Sequence, residues 1–188
     1  MSRRGRMVVL EGLDGVGKST LARALFGFVA LATPGDDLRD ARRAIHAVAA
    51  GDPLIPQLFY AASVIAVGRR ARALADAGAD VVIDRYWLST IAYGLARGTG
   101  VALVDVAPHV PRPDVTVIVE LREDERRARL AARGMTAQDV ESLQPAFAAA
   151  VRRRLRTPAP SEPVGRLARL DVTALAPAAA ARCLLDLL

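Results

Sequence analysis

A glycine-rich octapeptide directly after a short apolar run constrains the fold of this chain more than any other feature. The run Arg6–Leu10 leads into Gly12-Leu13-Asp14-Gly15-Val16-Gly17-Lys18-Ser19. This segment fits the pattern G-x-x-x-x-G-K-[ST], in which main-chain N–H groups close around phosphate oxygens. Lys18 is the only lysine, and every other one of the 26 basic residues is arginine. Because a planar guanidinium is a poor substitute for a slim ammonium inside such a loop, this exception indicates a P-loop.

The length and composition predict one globular domain over residues 1–188. A chain of 188 residues can build one core and is short for two. Hydrophobic residues make up 52%, charged residues 24% and aromatic residues 4%, which predicts an aliphatic, helix-rich core. The net charge of +6 has two interpretations. The arginines lie on solvated helix faces, or they create a positive field that draws anionic nucleotides into a cleft.

Several partner classes are disfavoured by the same composition. There is no lysine-rich run, and the few aromatic residues are not interleaved with arginines, so we expect no nucleic-acid partner. No apolar window approaches the ~18 residues of a membrane span, and the first apolar run is too short for a signal-peptide core, so we expect no membrane partner. Cys183 is the single cysteine. It has no partner for an intrachain disulfide, so we expect it in the core of a cytoplasmic protein.

Apolar runs that alternate with helical patterns predict an α/β fold. We expect a three-layer P-loop NTPase fold, with a parallel five-stranded sheet and helices on both faces. In such sheets the ligand binds at the carboxyl ends of the strands, where the P-loop, Thr33-Pro34-Gly35 and Asp84-Arg85-Tyr86 converge. The strands are expected at 6–10, 29–32, 81–83, 115–121 and 166–172. Helical segments are expected at 18–28, 36–50, 54–77, 88–97, 103–107, 123–132, 138–155 (interrupted by Pro145) and 178–187.

The parts of the octapeptide have separate chemical uses. The glycines let the backbone approach the phosphates, Lys18 neutralises the outer phosphates, and the Ser19 hydroxyl binds Mg²⁺. The helix that begins there adds the positive end of its dipole. The alternative is a fortuitous glycine-rich turn, which the preceding strand and the following helix disfavour. The predicted nucleotide-binding residues are Gly12, Leu13, Asp14, Gly15, Val16, Gly17, Lys18, Ser19 and Thr20.

Three charged residues extend the prediction beyond the binding of the donor phosphates. Asp84 follows an apolar strand, where a P-loop enzyme places a carboxylate near its metal. The alternative is that Asp84 caps the next helix. Arg85 would face the same cleft and clamp a phosphate with its fork. Asp14 is unusual in a phosphate loop because it is negative, which suits contact with a sugar hydroxyl.

Two motifs together resemble those of the thymidylate kinase family. The segment from Glu11 to Thr20 resembles the family's P-loop, including its internal acidic residue. The segment Asp84-Arg85-Tyr86-Trp87-Leu88-Ser89-Thr90-Ile91-Ala92-Tyr93 resembles the family's D-R-Y-x-x-S-x-x-A-Y sequence at every fixed position. The order of the later features is also similar, with Arg112-Pro113-Asp114 before a strand and a helix that ends at Arg133-Gly134.

The resemblance implies a role for each matching residue. ATP would be the donor, with Mg²⁺ at Ser19 and Asp84. Lys18, Asp84, Arg85 and Arg133 would be catalytic, and Arg133 would begin a lid over residues 133–142. Dimeric members pair through the long helix, so a homodimer is expected. The acceptor nucleotide would contact Asp14 (through the 3′-hydroxyl), Pro34 (with either a cis or a trans peptide bond), Phe59 (by stacking, unless it is a core aromatic), Arg85, Ser89, Thr90 and Tyr93.

The chain departs from the family pattern at the acceptor site. The family carries an arginine that reads the pyrimidine edge a few positions after the stacking phenylalanine, where this chain has Ser63. The basic residue usual beside Pro34 is also missing, and Arg39 or Arg42 is its expected substitute. In the lid, Gln138 and Asp139 stand where many bacterial members have a further arginine.

These observations favour a nucleoside monophosphate kinase that transfers the γ-phosphoryl group of ATP to dTMP or a related pyrimidine deoxynucleotide. A second hypothesis keeps the kinase and changes the acceptor to a modified nucleotide, a deoxynucleoside or another small hydroxyl compound. A third hypothesis is a nucleotide-binding protein without turnover. It predicts ATP binding without ADP release.

Overall fold

Five parallel strands form a single sheet in this computed structural model, which describes residues 3–188. The strands are β1 (Met7–Glu11), β2 (Phe28–Ala32), β3 (Asp80–Asp84), β4 (Val115–Glu120) and β5 (Arg166–Asp171). Their order across the sheet is β2-β3-β1-β4-β5. In this register Leu10 lies opposite Asp84 on one side and Val117 on the other. The end of β3 therefore lies beside the end of β1, where the P-loop begins.

Helices cover both faces of the sheet. Successive residues of a strand point to opposite faces, and β1 is buried throughout. The same holds for the three central residues of β3 and the first five of β4, so neither face of the central sheet meets water. The helices are α1 (Lys18–Ala24), α2 (Arg39–Val48), α3 (Leu54–Asp76), α4 (Trp87–Ala96), α5 (Glu123–Ala132), α6 (Ala137–Ser142), α7 (Pro145–Arg156) and α8 (Pro177–Asp186).

The α/β fold and the five parallel strands confirm the predicted architecture, whereas some local predictions are wrong. The helix predicted over 18–28 ends at Ala24, and a turn with Gly27 at φ 82° leads into β2. The segment 103–107 forms no α-helix; a short 3₁₀ turn occupies Ala107–His109 instead. The interruption expected at Pro145 separates α6 from α7, since Pro145 occupies the first turn of α7.

Two further findings concern the surface. Cys183 is exposed, which contradicts its predicted place in the core. Its position on α8 turns the thiol outward although leucines surround it in sequence, because α8 buries Ala180, Ala181 and Leu184 instead. Within residues 3–188 no helix combines the length and apolar character that a bilayer crossing requires.

A glycine in the middle of α3 brings this helix close to the start of α4. Gly68 is buried, and a Cβ atom there would overlap the Tyr86 hydroxyl and lie 3.0 Å from Pro111 Cδ. The Tyr86 hydroxyl donates a hydrogen bond to the Pro111 carbonyl at 2.9 Å. Because Tyr86 directly follows Arg85, the close approach at Gly68 helps to set the position of Arg85 at the edge of the sheet.

We expect Gly68→Ala to lower the free energy of unfolding by about 1–3 kcal/mol, the usual cost of overpacking a core. Tyr86→Phe alone should lose about 1 kcal/mol with its hydrogen bond. In the Gly68→Ala background it should cost less, because it removes the overlapping oxygen. Urea denaturation of the two single variants and the double variant measures this coupling. Strictly additive losses would contradict the proposed contact.

Candidate active site

Two cavities meet at the carboxyl ends of β1 and β3. The larger has a volume of about 610 Å³ and is lined by the P-loop from Asp14 to Thr20 together with Arg129 and Arg133. The smaller has a volume of about 350 Å³ and lies on the side of Thr33, Pro34 and α4. Three residues line both cavities, and these are Asp14, Asp84 and Arg85. We name the larger one the donor cavity and the smaller one the acceptor cavity.

The P-loop encloses the Lys18 ammonium. Gly12, Gly15 and Gly17 have φ values of 147°, 85° and 99°, a region that glycine tolerates and other residues disfavour. Lys18 Nζ donates hydrogen bonds to the carbonyls of Gly12 at 3.1 Å and Leu13 at 2.8 Å. Burial, together with the nearby Arg85, lowers the pKa of Lys18 to about 8. The ammonium lacks a carboxylate in direct contact and is available to neutralise a phosphate.

A hydroxyl and a carboxylate are hydrogen-bonded to each other in the wall of the donor cavity. The Ser19 hydroxyl donates a hydrogen bond to Asp84 Oδ2, and Asp84 Oδ1 is buried with no partner. Mg²⁺ prefers oxygen ligands, and in phosphate sites it uses one or two protein oxygens and completes its shell with water and phosphate. The pair therefore fits Mg²⁺. Residues 3–188 contain no cluster of three or more histidine, cysteine or acidic side chains that could hold a metal without such help.

Asp14 joins the P-loop to the end of β3. Arg85 Nη2 contacts Asp14 Oδ1 at 2.5 Å, and the Tyr93 hydroxyl donates to Asp14 Oδ2 at 2.8 Å. Burial would raise the pKa of Asp14, but Arg85 and Lys18 outweigh it and lower that pKa to about 2. Arg85 also stacks over the Tyr93 ring at 5.1 Å. The acidic residue of the loop thus has its hydrogen-bond partners, Arg85 and Tyr93, on the acceptor side, although Asp14 lines both cavities.

Glu11 holds the start of α4 in position, a role that the sequence analysis did not predict. Its fully buried carboxylate accepts hydrogen bonds from the main-chain N–H groups of Tyr86 and Ser89, both at 3.1 Å, and from the Ser89 hydroxyl. Burial raises the pKa of Glu11. A carboxylate that ends a buried strand is a signal that sequence reasoning had available, because an acidic side chain is rarely buried without partners.

Arg126 is a second supporting residue that the sequence did not reveal. Its side chain is 0% exposed, and all five of its N–H groups have acceptors. They contact the Asp14 carbonyl at 2.9 Å, the Ser142 carbonyl at 2.8 Å and hydroxyl at 3.1 Å, and both oxygens of Glu123. Arg126 therefore links the P-loop backbone to the end of α6. No sequence motif predicted a role for Arg126, because its hydrogen-bond acceptors belong to three separate segments of the chain.

The segment predicted as a lid contains α6. Thr136 and Asp139 form a reciprocal capping box at its start, and Arg133 contacts Asp139 Oδ1 at 2.6 Å. Arg97 of α4 contacts both carboxylate oxygens of Glu141. Arg133 lines the donor cavity and Gln138 lines the acceptor cavity, so this segment borders both.

The acceptor cavity contains most of the residues predicted for it, with one exchange. Pro34, Ser89, Thr90 and Tyr93 all line it, and the Thr33–Pro34 peptide bond is cis. Phe59 is not among the lining residues; its neighbour Tyr60 takes that place, and the Phe59 ring packs edge-on against the Tyr60 ring with 5.6 Å between the ring centroids.

Of the two arginines expected to replace the basic residue missing beside Pro34, one lines the acceptor cavity and the other does not. Arg42 lines the cavity, whereas Arg39 forms an ion pair with Asp36. Ser63 is buried, and its hydroxyl donates to the Phe59 carbonyl at 2.8 Å. In the P-loop, the Gly12 and Leu13 carbonyls contact Lys18, and neither residue lines the donor cavity.

This chain is similar to known proteins in both sequence and fold. The family model described as thymidylate kinase matches residues 38–162, which leaves the P-loop outside the matched part. A probable thymidylate kinase from Pyrococcus horikoshii is 31% identical over 149 residues, covering 70% of this chain and 72% of the relative. A thymidylate kinase from Alkalilimnicola ehrlichii is 32% identical over 162 residues, covering 77% and 75%. The solved structure of thymidylate kinase from Candida albicans has a TM-score of 0.75 at 20% identity, covering 100% of this chain and 92% of that one.

The lowered pKa of Asp14 predicts a specific acid sensitivity. Because the pKa falls from 3.8 to about 2 on folding, the Asp14 charge stabilises the fold above pH 3.8, and this contribution is lost as the pH falls to about 2. It amounts to about 2 kcal/mol at neutral pH. The difference in unfolding free energy between wild type and Asp14→Asn should therefore shrink between pH 5 and pH 2. A difference that stays constant over this range would contradict the ion pair.

Proposed function

The chain belongs to the thymidylate kinase family, and we propose on this basis that it transfers the γ-phosphoryl group of ATP to dTMP. One observation carries the proposal. Asp14, Asp84 and Arg85 line both the donor cavity and the acceptor cavity, so a phosphate held on each side would meet at these three residues. Phosphoryl transfer requires this positioning and charge neutralisation more than covalent chemistry. We propose that residues 1–188 act as one kinase domain, with 133–142 as its lid.

On the donor side, each proposed role follows from an observed contact. Lys18 exchanges its carbonyl partners for the terminal phosphates of ATP and neutralises them. Ser19 and Asp84 hold Mg²⁺, which supplies positive charge to the donor phosphates when bound. Arg133 begins the segment that borders the donor cavity, and it covers the nucleotide from that side.

On the acceptor side, Arg85 is placed to hold the acceptor phosphate in line with the donor. Its guanidinium faces both cavities and is fixed by Asp14 and Ser89. Arg42 supplies a second positive charge in the place of the basic residue missing beside Pro34. Asp14 accepts a hydrogen bond from the acceptor 3′-hydroxyl, and Tyr93 lies under the sugar. The pocket for the base is formed by Tyr60, Ser89 and Thr90.

A different acceptor is the second candidate, and it is favoured by Ser63, which stands where the family has an arginine. A coupled assay of ADP release tests both candidates across dTMP, other nucleoside monophosphates, nucleosides and modified pyrimidine nucleotides. ADP release with dTMP as the best substrate supports the first candidate. Preference for another acceptor supports the second, and ATP binding without release for any acceptor supports the non-catalytic alternative.

We further propose a cytoplasmic location and a homodimer. Cys183 is exposed and free, which fits a reducing compartment. The outer face of α3 exposes a row of apolar residues one turn apart, which fits a helix that pairs with its copy. These residues are Leu58, Ala62 and Ala66.

Lys18→Ala is expected to lower kcat by at least about 10²-fold, the scale of losing one preorganised electrostatic donor. The physical reason is that Lys18 supplies the ammonium enclosed by the loop, whereas Arg85, which also donates to the Gly12 carbonyl, is held in place by Asp14 and Ser89. Steady-state ADP release with saturating ATP measures the loss, and thermal melting controls for folding. Turnover near the wild-type value would refute the assigned role.

Ala62→Arg is expected to convert a dimer into a monomer, because two guanidinium groups would meet at the paired helices. Size-exclusion chromatography with light scattering gives the mass. Ala128→Arg, an exposed alanine on α5, serves as the matched control and should stay dimeric. A monomeric wild type, or a dimeric Ala62→Arg variant, would contradict the proposed interface.

A further inference from the structure

Unpaired polar atoms concentrate at the acceptor cavity. Among residues 3–188, five buried side-chain nitrogen or oxygen atoms have no hydrogen-bond partner. Three of them belong to residues that line this cavity, namely Thr33 Oγ1, Gln57 Oε1 and Asp84 Oδ1. Buried polar groups in native proteins are nearly always paired, because an unpaired one costs free energy. Asp84 also lines the donor cavity, where it would meet Mg²⁺, so Thr33 Oγ1 and Gln57 Oε1 are the two atoms that indicate a ligand in the acceptor cavity itself.

The orientation of the Gln57 amide is determined by its neighbours. The side chain is 3% exposed, and Nε2 donates a hydrogen bond to the Val101 carbonyl at 3.0 Å. A carbonyl can only accept, so the amide nitrogen must face Val101 and the oxygen must be the free atom. The amide also packs closely against Gly94, where any Cβ atom would overlap it. Gln57 thus presents a preorganised hydrogen-bond acceptor.

Gln57 lies at the far end of the cavity from the phosphate residues. Asp84 and Arg85 precede α4, and Gly94 lies seven residues after its first residue, Trp87. At the helical rise this separation corresponds to about 10 Å. Thr33 belongs to the phosphate end, since its main-chain N–H donates to the Asp84 carbonyl at 3.1 Å. An acceptor nucleotide whose phosphate lies at Arg85 therefore directs its base toward Gln57.

We infer that Gln57 Oε1 accepts a hydrogen bond from the N3–H group of a pyrimidine-2,4-dione base, such as thymine or uracil. This inference rests on the proposed function and names the group that selects the base. Cytosine presents an acceptor at N3 and would face Gln57 Oε1 with a second lone pair. Gln57 would therefore recognise the base in a chain that has Ser63 where the family has its base-reading arginine. Because the amide oxygen is shielded from water, a base lacking the N–H group leaves it unpaired and is rejected.

The test changes both partners of the contact. On the protein side, Gln57→Met keeps the side-chain length without polar atoms, and Gln57→Ala opens space. On the substrate side, dTMP is compared with N3-methyl-dTMP, which lacks the donor. Gln144→Met is the matched control, because Gln144 is exposed before α7 and outside the cavity. The readout is kcat/KM for each acceptor from ADP release, with the KM for ATP measured in parallel.

Gln57→Met should lower kcat/KM for dTMP about tenfold, the scale of one buried hydrogen bond, and leave the KM for ATP unchanged. In wild type and Gln144→Met, dTMP should exceed N3-methyl-dTMP by about 10² in kcat/KM. In Gln57→Ala that ratio should fall at least tenfold.

A ratio in Gln57→Ala equal to the wild-type ratio would overturn the inference and leave the kinase assignment intact. If neither Gln57 variant folds by thermal melting, the wild-type comparison decides alone, and equal use of dTMP and N3-methyl-dTMP overturns it. A wild type that releases no ADP with dTMP, yet does so with another acceptor, would instead refute the proposed function and this inference with it.

Discussion

The ion pair between Arg85 and Asp14 connects the two halves of the site, and the rest of the arrangement depends on it. Asp14 belongs to the loop after β1, and Arg85 follows β3, the neighbouring strand. Their contact at 2.5 Å holds the guanidinium where both cavities meet. Arg85 has φ 67°, a backbone conformation that a non-glycine residue adopts at a cost. The ion pair and the bonds of Arg85 to Gly12 and Ser89 offset that cost.

Two buried charges support this pair from behind. Glu11 binds the N–H groups at the start of α4, so the residues after Arg85 have a defined position. Arg126 binds the Asp14 carbonyl and the end of α6, so a single side chain holds both the P-loop and the lid segment in position. A buried charge is costly unless it is paired and fully hydrogen-bonded. Arg126 meets this condition through its ion pair with Glu123 and its other acceptors. Glu11 forms no ion pair within residues 3–188; three hydrogen bonds satisfy its carboxyl group, and burial raises its pKa.

The two cavities differ in how completely the chain satisfies its own polar atoms. In the P-loop, Lys18 has main-chain partners before any ligand binds. In the acceptor cavity, Thr33 and Gln57 each keep one unpaired buried atom, and Asp84, which lines both cavities, keeps a third. Selectivity is greatest where a ligand must pair such atoms, because the wrong ligand leaves them unpaired in a low-dielectric site. The donor side therefore suits binding of a common polyphosphate, and the acceptor side suits discrimination.

The sequence by itself determined the class of fold and the phosphate-binding loop, because both depend on local patterns. Alternating apolar strands and helices predict a parallel sheet, and glycine spacing around Lys18 predicts a P-loop, without knowledge of distant contacts. Only the tertiary structure decided that Tyr60 rather than Phe59 lines the acceptor cavity, that Arg42 rather than Arg39 faces it, and that Cys183 is exposed. The roles of Arg126 and Gln57 were also decided there. Their partners lie on other elements, and a side chain's burial and pairing follow from how those elements pack.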